Sequence, residues 1–165
     1  MKYFFKFANF FILIFFVILQ IVLGEQLKLY YINFDFILVT LVAITFKEGL
    51  LTGIIYGFIA GFVFDILSGG IIGISSLIFT LNAFIIYELV ESGLKLKLVS
   101  YVFVVFIITE IDIIVADIIY YLFNFSINFA SLGINLITKP FFNLILIFII
   151  FPLLRLKFIR EETFE

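Results

Sequence analysis

At 165 residues, of which 65% are hydrophobic and only 13% charged, the chain is far more apolar than a water-soluble domain, where about half the residues are apolar and about a quarter charged. A formal net charge of −2 is too small to point to a nucleic-acid partner. The absence of cysteine and histidine excludes disulfides, thiolate nucleophiles, the commonest metal ligand and the usual proton shuttle.

With a mean hydropathy of +1.36, the expected solvent is lipid and the expected class is an all-α membrane protein, a single polytopic domain over residues 1–165. Six spans of about 20 residues each would use most of that length. The first is 7–23, an uncharged run behind Lys2 and Lys6. It is long for the apolar region of a signal peptide, and more spans follow, so it reads as a membrane helix. By hydropathy the others are 29–46, 49–67, 71–87, 98–123 and 133–154. The breaks between most of them are short, so consecutive helices should be antiparallel neighbours.

Lysine and arginine set the orientation. If the N-terminus is cytoplasmic, so are Lys2, Lys6, Lys47, Lys95, Lys97, Arg155, Lys157 and Arg160, while Lys28 alone lies outside and Lys139 lies within the sixth span. This bias predicts both termini in the cytoplasm.

The third span carries Gly49, Gly53, Gly57 and Gly61 at intervals of four, with Asp65 at the next step. Positions four apart drift only about 40° around a helix, so these glycines form a winding groove. In lipid such a groove serves close backbone contact. It is expected to receive a neighbouring helix of the same chain, or else to form the seam of a homodimer. Ser68, Gly69 and Gly70 then reverse the chain, and Gly73 opens the fourth span.

The fifth span holds Glu110, Asp112 and Asp117. Glu110, Asp117 and Tyr121 share a helical face and Asp112 points elsewhere. Carboxylates at membrane depth are costly and should face the bundle interior. In the sixth span Asn135, Lys139 and Asn143 form a polar stripe broken by Pro140. An intramembrane polar cluster of Asp65, Glu110, Asp117 and Lys139 is expected, and matched depth in the outer half pairs Lys139 with Asp117, Asp65 or both. No nucleotide-binding loop, metal-ligand spacing or nucleophile–base pair occurs, so no catalytic residue, metal or cofactor is expected.

Between residues 35 and 73 the chain reads Asp35, then Lys47-Glu48-Gly49, the glycine ladder, Asp65-Ile66-Leu67-Ser68-Gly69 and Gly73. This string resembles the MreD family, small membrane proteins that determine rod shape in bacteria; the family usually has proline where this chain has Phe34. The resemblance implies a non-enzymatic scaffold or regulator of the elongasome, acting in lateral peptidoglycan synthesis at the inner membrane. It also implies an MreC-like bitopic partner and, through it, MreB, RodA and a penicillin-binding transpeptidase. The implied fold is similar to the six-helix substrate-binding subunit of energy-coupling-factor transporters. A membrane subunit that binds a vitamin-type small molecule is therefore the alternative expectation.

Overall fold

The computed structural model of the protein describes the backbone of residues 2–28, 34–93, 98–123 and 129–162, and the side chains of 8–24, 34–93, 99–123 and 132–150. Within them the chain forms six helices and no strand: α1 (Lys2–Lys28), α2 (Phe36–Glu48), α3 (Leu50–Ser68), α4 (Ile74–Glu91), α5 (Leu98–Leu122) and α6 (Phe129–Glu162). Every pair of consecutive helices is in contact, as short connections require.

The organising element is α2, which touches all five other helices. Every residue from Ile37 to Phe46 is buried. A helix that is apolar all round is stable when it is surrounded, and here the surroundings are Leu13 and Val17 of α1, Ile78 and Ile86 of α4, Val104 and Ile108 of α5, and Leu146 of α6. At 13 residues α2 is about 20 Å long, well short of the roughly 30 Å hydrocarbon core. It begins at Phe36, later than the 29–46 span expected from hydropathy; residues 29–33 lie outside the described residues. The outer surface of the bundle is itself apolar, with Phe58 and Ile66 of α3, Phe106 of α5 and Phe148 of α6 all exposed. Among the described residues, 50–68, 74–91 and 132–150 are long and apolar enough to cross a membrane, and 8–24 in α1 is a shorter apolar stretch.

One residue joins α2 to α3. Gly49 has φ +84° and ψ −179°, a conformation essentially confined to glycine. It is therefore the hinge between two helices and not the first rung of the ladder. Above it, Gly53, Gly57 and Gly61 are buried. A methyl group at Gly53 would collide with the Thr45 side chain of α2. One at Gly57 would come 2.7 Å from the Phe79 carbonyl oxygen of α4, and one at Gly61 would enter the backbone of Ser75 and Ser76. The groove thus receives α2 at one end and α4 along the rest. The turn from α3 to α4 uses left-handed Gly69 (φ +69°) and Gly73 (φ +103°). The latter starts α4 at residue 74, three residues beyond the expected 71. Ser68 is exposed beside this turn.

Candidate functional site

Many of the polar side chains that the bundle buries gather around the start of α2. Asp35 caps α2: its Oδ1 accepts from the Leu38 N–H at 2.9 Å, satisfying one of the free donors at a helix start. The flanking backbone is clamped from α1, where Gln20 Nε2 donates to the Phe34 carbonyl at 2.8 Å and Gln20 Oε1 accepts from the Phe36 N–H at 2.9 Å. Phe34 packs edge-on against Phe142 of α6, centroids 5.1 Å apart. Where the resemblance leads one to expect proline, the chain holds Phe34 by these contacts.

The other oxygen of Asp35 meets Lys139. The Lys139 ammonium lies 2.9 Å from Asp35 Oδ2 and 2.6 Å from Asp112 Oδ2. The lysine side chain is 20% exposed, with its partners at 10% and 5%, so it points into the bundle and does not snorkel. Asp112 Oδ1 accepts from Asn82 Nδ2 of α4 at 2.6 Å. Asn143, one turn beyond Lys139, accepts from the Asp35 N–H at 2.8 Å and donates to Thr109 Oγ1 at 3.0 Å. The result is one connected network joining side chains of α1, α4, α5 and α6 to the start of α2. Charge-assisted hydrogen bonds of this kind are the strong ones, and in a low-dielectric interior they hold together the helices they join.

This geometry corrects the sequence-based pairing. The partners of Lys139 are Asp112 and Asp35, not Asp117 or Asp65. Asp112 faces inward because α5 buries Tyr101, Val104, Val105, Ile108 and Thr109, the face on which Asp112 continues. Glu110 is roughly 160° away around the helix and is only partly buried, outside the cluster. Asp117 lines the cavity beside Lys139 and makes no ion pair among the described residues. Asp65 has a different task. Its Oδ2 accepts from the Gly73 N–H at 2.7 Å, and its two oxygens each lie 3.2 Å from the Ser75 nitrogen. Gly73 has no side chain to cap α4, and Asp65 supplies the missing acceptor from across the turn, where the positive helix end favours a carboxylate.

The cavity, about 270 Å³, is lined by Gln20, Asp35, Asp112, Asp117, Asn135 and Lys139 together with apolar side chains. At the opposite end of the bundle Asn9 of α1 donates to Glu48 Oε1 of α2. Among the described residues no three carboxylates converge as a metal site. Asp112, Gln20 and the Asn9–Glu48 contact were not anticipated from the sequence. The spacing of Thr109 and Asp112 by three, which puts two polar groups on one face, is the signal that could have identified the inward side of α5.

A family model described as rod shape-determining protein MreD matches residues 2–157. The chain belongs to the MreD family. It is therefore a membrane protein with a role in rod-shape determination. No curated protein and no solved structure matches it. The residues that carried the MreD resemblance now have physical tasks. Asp35 caps α2 and holds Lys139, Gly49 is a hinge, Gly53, Gly57 and Gly61 admit neighbouring helices, and Asp65 caps α4.

Proposed function

We propose that the chain is a non-enzymatic scaffold and regulator of the elongasome, maintaining cell shape through lateral peptidoglycan synthesis. Its direct partner in this reading is an MreC-like bitopic protein; MreB, RodA and a penicillin-binding transpeptidase are reached through it. The observation that carries the reading is the use to which buried charge is put. Lys139 is matched by Asp35 and Asp112, and Asp65 by the start of α4. A catalytic acid or base needs a positioned, available proton site, whereas these groups lock helices to one another. In a strain without the gene, elongated cells should become round, and the tagged chain should co-purify with a co-expressed MreC-like protein. Rods of normal shape in its absence, above all with an uptake defect for a single vitamin, contradict the reading.

The proposed setting is the inner membrane, crossed six times, with α2 and α5 completing the set. An even number of crossings puts both termini on one side, and the lysine and arginine bias makes that side the cytoplasm. The side chains of Lys2, Lys6, Lys28, Lys95, Lys97, Arg155, Lys157 and Arg160 lie outside the described residues, so this part rests on the sequence. The Asp35–Lys139–Asp112 network then occupies the outer half. A reporter fused at Glu165 should behave as cytoplasmic, and a periplasmic signal there would mean an odd number of crossings.

A further inference from the structure

All six helices contribute to the wall of the one cavity described above. Gln20 comes from α1, Phe36 from α2, Phe64 from α3, Phe79 from α4, Asp117 from α5 and Lys139 from α6. At about 270 Å³ the cavity lies just below the roughly 300 Å³ at which small-molecule pockets begin, so it suits a small guest.

The wall has two characters. Phe34, Phe36, Phe64, Phe79 and Tyr120 supply aromatic surface, and the faces of aromatic rings attract cations. Asp35, Asp112 and Asp117 set three carboxyl groups against the single ammonium of Lys139, a formal excess of negative charge. Asp35 and Asp112 share that lysine and are bonded further by the Leu38 N–H and by Asn82. Asp117 is the acid left over. It lines the cavity and has neither an ion pair nor a hydrogen-bond donor among the described residues. An uncompensated carboxylate inside a membrane bundle is costly, and a cation in the cavity offsets that cost.

We infer that this cavity binds a small organic ammonium ion, with its charged group on the Asp117 carboxylate and its apolar body against the aromatic wall. Other guests fit less well. An anion meets the excess of negative charge. A metal ion needs converging ligands, and no three acids among the described residues are placed to hold one; the Lys139 ammonium already pairs with Asp35 and Asp112. A neutral apolar molecule leaves Asp117 without a partner. Binding of this kind requires neither transport nor a protein partner, and it holds whether or not the chain is an elongasome scaffold.

The full chain, purified in a neutral detergent, is titrated at neutral pH by calorimetry with methylammonium, tetramethylammonium and benzylammonium chlorides, each corrected for empty micelles. At least one of them should bind at a single site per chain with a dissociation constant below about 1 mM. Benzyl alcohol, benzoate and calcium chloride, the neutral, anionic and metal counterparts, should each bind about tenfold more weakly or not at all. Asp117→Asn keeps the shape of the side chain and removes its charge. It should weaken ammonium binding by about tenfold or more, while the unfolding temperature without probe stays at the parent value, because Asp117 ties no helices together. Failure of all three ammonium ions to bind overturns the inference. So does equal binding of benzyl alcohol or of calcium, or ammonium binding that Asp117→Asn leaves intact. Rod-shape rescue plays no part in this measurement, so the cavity's ligand and the scaffold reading stand or fall separately.

Discussion

Lys139→Met should destabilise the folded protein by about 3–5 kcal/mol, the usual cost of stranding one side of a buried ion pair. Methionine removes the ammonium that stands 2.6 and 2.9 Å from two carboxylates and leaves those buried acids without their shared counter-charge. Lys139→Met combined with Asp112→Asn should recover a substantial part of the loss. One buried charge is gone, the asparagine can still accept from Asn82, and Asp35 keeps its bond to the Leu38 N–H. Lys139→Met combined with Asp117→Asn should stay at the level of the single variant, because Asp117 is not a partner of the lysine. Thermal unfolding in detergent, followed by loss of soluble monomer, ranks the three. Equal recovery from Asp112→Asn and Asp117→Asn would contradict the pairing.

The second large effect concerns the contact between α3 and α4. Gly61→Ala should cost about 1–3 kcal/mol by overpacking, toward the upper end, with at most about 1 kcal/mol returned by the helix preference of alanine. What the added methyl meets is the backbone of Ser75 and Ser76, which cannot rotate aside; the helices must separate. Lipid supplies no hydrophobic force to draw them back together. Gly57→Leu, facing the Phe79 carbonyl, should leave almost no folded protein. Gly53→Ala should be the mildest, because it meets a side chain, that of Thr45, and not the backbone of a neighbouring helix. The order Gly53→Ala, Gly61→Ala, Gly57→Leu in detergent half-life checks the account. A Gly57→Leu protein as stable as the parent would place this groove against lipid.

The sequence made the glycine groove legible because a repeat of four has only one geometric meaning on a helix, and the polar stripe of α6 was legible for the same reason. The inward face of α5 was not. When both the core and the outer surface are apolar, hydrophobic periodicity no longer marks the buried side, and the sequence reading put Glu110 in the cluster and Asp112 outside it. The central place of α2 was hidden likewise, since its composition differs little from helices that border lipid. Asp65 illustrates another limit. Its partners are backbone N–H groups across a turn, and no side-chain pattern announces them. Asp35 drew notice through the family string, but its grip on Lys139 required the depth and rotation of α2, α5 and α6 together.

The central claim is that the buried charges serve the architecture of a shape-determining scaffold and do no chemistry of their own. Rod-shape rescue by the Lys139→Met, Asp112→Asn double variant, normalised to the amount of folded protein in the membrane, tests this most directly. If the network is a fastener, shape should return in proportion to folded protein even though the ion pair is absent. Round cells that contain a normal amount of folded double variant would contradict the account and assign the charges a role beyond holding the helices together.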